Sequence, residues 1–107
     1  MFRYATPLRD MQFVLHELLD ASTGLKSANP KSTWDRETID RTIEAAGQFA
    51  GRELAPLNAS ADEQGCSLAE GVVTTPKGFA PAYRRFVDAG WPTLACAEEF
   101  GGQGAPS

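Results

Sequence analysis

The sequence predicts an all-α fold, an open arrangement of three main helices joined by long loops. Three observations carry that expectation. Apolar residues recur at helical spacing in three segments, roughly 7–20, 35–54 and 77–89, which is the signature of amphipathic helices. Capping residues, prolines and glycines stand at the ends of those segments, where helices start and stop. Two long connections, roughly 21–33 and 57–76, separate the helices and exceed what a self-sufficient compact domain commonly uses.

The first helix is expected from Pro7 to Asp20. Thr6 is placed to cap it, Pro7 suits the first helical position, and Asp10 lies in the first turn where the helix dipole favours an anion. Leu8, Met11, Leu15, Leu18 and Leu19 keep helical spacing. Phe13 and Val14 widen the apolar coverage, so this helix expects partners on more than one side. It stops near Ser22-Thr23-Gly24. Residues 22–33 then read as a polar connection with no folded element of their own, turned at Asn29-Pro30.

The second helix is the clearest. Asp35 or Thr33 can cap it, Glu37 reinforces the dipole, and the pattern carries through Leu54. Ile39, Ile43, Ala46 and Ala50 form one stripe, with Ala45 and Phe49 beside it. Ala45, Ala46, Gly47, Ala50 and Gly51 are small enough to let another helix approach closely. Pro56 lacks a backbone donor and is expected to kink or end the helix near Leu54 or Ala55. Gly65 closes the region after Asp62-Glu63-Gln64.

Val72-Val73-Thr74-Thr75 fits a short extended segment or a loop equally well. Pro76 stands just before the third helix, expected from Lys77 to Ala89. Phe79, Tyr83, Phe86 and Val87 keep helical spacing, and Gly90 suits the position just past the last turn. Beyond it, Gly101-Gly102-Gln103-Gly104 makes a tight turn. Such a turn normally delivers the chain into another packed element, so the sequence is expected to be a piece of a longer polypeptide.

Composition sets the class. The 107 residues are 42% hydrophobic and 22% charged, ordinary for a globular chain. A net charge of −4 argues against nucleic acid as a partner, since that requires a basic face. No apolar stretch approaches the roughly 18 residues needed to cross a bilayer. The start, Met1-Phe2-Arg3-Tyr4, lacks a secretory h-region, and a cytoplasmic location is expected. Cys66 and Cys96 are in no metal-ligand spacing, and nothing else suggests the oxidising compartment a disulfide between them would need.

The residue inventory assigns no catalytic, cofactor-binding or metal-binding residue. His16 has no second histidine to complete a metal site or dyad, and reads as a surface or satisfied helical histidine. Glu98 and Glu99 are adjacent and point in different directions on any regular element, a poor arrangement for paired acid and base. Asp62 and Glu63 invite the same reading. A phosphate-cradling role for Gly101-Gly102-Gln103-Gly104 lacks the preceding strand and following Lys or Ser/Thr of the established loops. Ser60, Ser67 and Cys66 have no base in view.

Three segments in series nevertheless carry a resemblance. Phe86-Val-Asp-Ala-Gly-Trp-Pro-Thr-Leu, followed by Glu98-Glu-Phe-Gly-Gly-Gln-Gly, resembles the N-terminal α-helical domain of the acyl-CoA dehydrogenase family. Phe49-Ala-Gly-Arg-Glu-Leu-Ala-Pro-Leu-Asn with Asp62-Glu-Gln-Gly-Cys is similar to the preceding helix of that domain. The stretch from Tyr4-Ala-Thr-Pro-Leu-Arg-Asp-Met through Asp20 is similar to a longer bacterial subgroup with an extra leading helix. The resemblance implies residues 1–34 as a leading helix and linker, and 35–107 as the start of the helical domain.

It also implies an oxidoreductase of fatty acid metabolism. In that family a glutamate takes the α-proton of an acyl-CoA thioester while the β-hydride passes to FAD. Neither the catalytic glutamate nor a flavin-holding residue is matched in this sequence. By this resemblance the chain contributes packing and part of an acyl pocket, is inactive alone and retains no FAD. Its implied partners are the flavin-binding and C-terminal domains, with an acyl-CoA substrate in the full-length protein. The apolar faces of the first two helices are expected to drive homo-oligomerisation. A free-standing helical interaction module and a small acyl-CoA-binding protein without redox chemistry stay open as alternatives.

Overall fold

The computed structural model describes residues 3–106. The chain is mainly helical and divides into two compact units, one reaching Gly51 and one spanning Arg52–Gly104, with the last residues grouped with the first unit.

In the first unit, helix α1 is Leu8–Gln12 and runs directly into a π-helical segment, Phe13–Leu18. The Leu19 amide reaches back five residues to the Val14 carbonyl at 2.9 Å, which marks the wider turn. Thr6 does not cap this helix with its side chain. Its hydroxyl instead stands 3.3 Å from the Gly47 carbonyl, so the oxygen expected at the helix start is committed elsewhere. A side chain on Gly47 would press against Thr6, its Cβ 3.1 Å from the threonine methyl. The small residue does admit a close neighbour, but that neighbour is the segment leading into α1.

Residues 22–33 were expected to hold no element, yet Ala21–Ala28 form helix α2. The connection is possible because Asp20 adopts a left-handed conformation, φ 46°, which Asp tolerates better than most residues. The helix packs against both α3 and the π-helical segment, and that contact stabilises a sequence whose own propensity is poor. Asn29 then turns the chain: its carbonyl accepts from Ser32 N–H at 2.8 Å and its side chain from Lys31 N–H at 3.1 Å.

Helix α3 is Arg36–Phe49. Asp35 is the cap, accepting from the Thr38 amide at 2.9 Å. Ile39 is buried as the stripe requires. The chain continues through a second π-helical stretch, Ala50–Leu54, into helix α4, Ala55–Gln64. Pro56 therefore starts a helix as well as disturbing one. The wider winding just before it accommodates both the ring against the preceding turn and the missing N–H.

The connection expected over 57–76 is thus a helix followed by a hairpin. Strands β1, Ser67–Ala69, and β2, Val72–Thr74, pair antiparallel with Leu68 opposite Val73. Glu70 and Gly71 both have positive φ, 51° and 79°, as a two-residue primed turn demands. Helix α5 spans Phe79–Asp88, with Pro81 inside the first turn where no helical bond is lost. Gly90, φ 85°, ends it. Two short 3-10 turns follow, Trp91–Thr93 and Glu98–Phe100.

Among the described residues the buried apolar side chains are Ile39 and Ala82, joined by Pro76 and by His16. None of the described helices is long and apolar enough to cross a membrane.

Candidate functional site

Helices α4 and α5 frame an apolar groove of about 660 Å³. On α4, Leu57 and Ala61 are one turn apart and present one face. On α5, Phe79, Ala82, Tyr83 and Phe86 follow the same spacing and supply the opposite wall. Leu54 closes one end, and Gly65, Cys66 and Pro76 form the other at the base of the hairpin. Tyr83 and Phe86 have ring centroids 6.3 Å apart, within the range of a favourable aromatic pair. Gly78 belongs to the same construction: a Cβ there would strike Leu57 at 2.6 Å, and its φ of 94° suits glycine.

The amide and carboxylate side chains on the groove are Asn58 and Asp62 of α4, beside the Tyr83 hydroxyl and the Cys66 thiol. Outside it, Arg85 of α5 donates to Glu53 at 3.0 Å, an exposed pair that adds no more than about 1 kcal/mol. The volume lies inside the range of small-molecule sites, and the walls suit a hydrocarbon group.

A second constellation lies in the first unit. His16, on the π-helical segment, holds Asp40 of α3 at 2.6 Å through Nε2. Its side chain is 2% exposed, so the expectation of a surface histidine is corrected. The expectation of a satisfied one is met at one nitrogen only, since buried Nδ1 has no partner. Asp40 was not legible as a partner. It borders the apolar stripe of α3 beside Ile39, and its meeting with His16 depends on how two helices pack.

The other candidates separate cleanly. The Gly-rich loop spends its amides internally: Gly101 donates to Glu98, Gly102 to Ala97, Gln103 to Thr93 and Gly104 to Cys96, at 2.9 to 3.2 Å. No N–H of that run is left to cradle a phosphate or the pyrophosphate of a flavin dinucleotide. A side chain on Gly102 would overlap the Cys96 carbonyl, which explains the glycine without any ligand. Cys66 and Cys96 are exposed free thiols. No cluster of three or more metal-ligating side chains occurs among the described residues.

Asp35 is tuned for capping. Hydrogen bonds from Thr38, the side chain first and then the amide, hold its carboxyl below the ordinary value, and the positive charge of Arg41 acts in the same direction.

Comparison with known proteins adds one relative. The chain is 34% identical over 103 residues, 96% of its length, to a 3-methylmercaptopropionyl-CoA dehydrogenase of Ruegeria pomeroyi. It spans 17% of that relative's length. No protein-family profile matches the chain.

Proposed function

We propose that the chain serves as part of an acyl-CoA dehydrogenase-like enzyme, supplying packing surface and part of the acyl-pocket wall. The observation that carries this reading is similarity along almost the whole chain to one such dehydrogenase. The groove between α4 and α5 supports it, being apolar, open and the right size for a hydrocarbon group. The full-length activity is then α,β-dehydrogenation of an acyl-CoA thioester with FAD, which accepts the hydride when bound.

The described residues do not fit the flavin. The one glycine-rich loop has no free amides, and the groove offers hydrocarbon where a pyrophosphate needs donors. No flavin contact is assigned to the described residues, and this reading expects the chain alone neither to dehydrogenate nor to retain FAD. The remaining domains of the enzyme are its partners, with a cytoplasmic location and self-association as parts of the same reading.

The test is an assay of a polypeptide of the relative's length that contains this segment. Reduction of an electron acceptor by an acyl-CoA is expected, and Tyr83→Glu should raise KM as the acyl chain lengthens. No turnover of any acyl-CoA by flavin-loaded enzyme sinks the reading. The exposed apolar side chains of the first unit favour one alternative, a free-standing interaction module. A chain of these 107 residues that binds a partner protein and has no flavin-containing counterpart would establish it.

A further inference from the structure

The hairpin Ser67–Thr74 has no use in the reading above, and it is unusual in one respect. All six strand residues are exposed, Leu68 at 72% and Val73 at 65%. A two-stranded hairpin is marginal in water unless a face is covered. Leu68 and Val73 are directly opposite one another across the strands, so they share one face. That face is an apolar surface without a cover, mounted on the rim of an apolar groove without a roof.

The attachment makes the two complementary. Gly65 and Cys66 before β1, and Pro76 after β2, line the groove themselves. Pro76 is buried, and the Lys77 amide donates to the Gln64 side chain at 3.0 Å, so the base is fixed. Above that base the constraint ends. Gly65 belongs to the base, its amide donating to the Ala61 carbonyl at 2.8 Å. Its φ of 62° and ψ of −175°, open essentially to glycine alone, set the direction in which the strands leave it. Leu68 stands two residues beyond Cys66, about 7 Å along a strand, which is a suitable reach over a groove that begins at that residue.

We propose that the hairpin is a lid which bends over from its pinned base and lays the Leu68–Val73 face over an apolar guest in the α4–α5 groove. The guest is an aliphatic chain or comparable uncharged hydrocarbon. Two side chains are too small to occupy about 660 Å³, so closure encloses a ligand instead of filling the space. The Asp62 carboxylate on the groove disfavours an anionic group at that point. This inference rests on the groove reading given above, and its test keeps the two apart.

Nile red, uncharged and apolar, is the probe, used with the full chain. The groove reading expects saturable binding that Tyr83→Glu abolishes; the tyrosine is 65% exposed, so the fold tolerates the change. The lid expects the paired variant L68S/V73S to bind Nile red yet release it about tenfold faster, because most of the change falls on dissociation. It also expects saturating Nile red to slow amide exchange in 67–74. Unchanged release from L68S/V73S, or unchanged exchange in the hairpin, overturns the lid while leaving the groove intact. Absence of binding, or binding that survives Tyr83→Glu, overturns both.

Discussion

His16 spends one nitrogen on Asp40 and buries the other without a partner. An unsatisfied buried polar atom costs about 1–3 kcal/mol, and removing one member of a pair creates a second such atom. Asp40→Ala should therefore lower stability by about 1–3 kcal/mol in urea unfolding, with helix content retained. The paired change H16L/D40L, which removes every polar atom involved, should cost less. Equal losses for both variants would show that packing, not hydrogen bonding, is what this contact provides. Asp35 makes a pH-dependent contribution. Its carboxyl is held below the ordinary value of 3.8, so the stability it adds is present above that value and is lost as pH falls through the depressed one. Amides in the first turn of α3 should lose protection, relative to their intrinsic exchange rate at each pH, on acidification of the native protein, and Asp35→Asn should erase that dependence. The cap at Asp35 was legible because its chemistry is local. The His16–Asp40 contact was not, since residues 24 positions apart meet only through helix packing and through a π-helical register that periodicity does not reveal.

At the level of elements, the three segments with strong apolar spacing all form helices, and the aromatic wall of the groove on α5 was readable from Phe79, Tyr83 and Phe86. What escaped was α2 and α4. Ser22, Thr23 and Gly24 are weak helix formers, and contacts with α3 and the π-helical segment override them. Gly24 has ordinary helical geometry and open space where a Cβ would project. Gly24→Ala should accordingly stabilise the first unit by about 0.5–1 kcal/mol, seen as a raised urea midpoint. For α4, Pro56 was given only its helix-ending role, although a first-turn proline is equally common. This also explains the half of the groove that the sequence hid, since Leu57 and Ala61 count as a wall only once α4 exists. Pro56→Ala restores a backbone donor. Arg52 could then accept an ordinary helical bond, and amide exchange through 50–56 should slow. Unchanged exchange would locate the cause of the wider turn elsewhere.

Across the whole molecule, the accessible surface is 8328 Å². Two separate compact bodies, each of half the chain's mass, would expose roughly 7,000 Å² between them. The surplus exists without reference to how the two units are arranged. Phe13, Leu18 and Leu19 are each more than half exposed, and clusters of that kind mark interaction surfaces. The sequence showed this much in the breadth of the first helix's apolar coverage. Light scattering should find self-association at tens of micromolar, as the concentration of such surfaces favours pairing; a clean monomer over that range would count against it. The scarcity of enclosed hydrocarbon among the described residues, where Ile39, Ala82 and Pro76 are buried, carries a thermal consequence. Denaturation newly exposes about three-quarters of the surface that a compact domain of this mass would expose, so the heat-capacity step should fall somewhat short of the roughly 12–15 cal/mol/K per residue found for ordinary domains. A calorimetric scan should then trace a reduced heat-capacity step, and the free-energy curve against temperature should bend less steeply on the cold side.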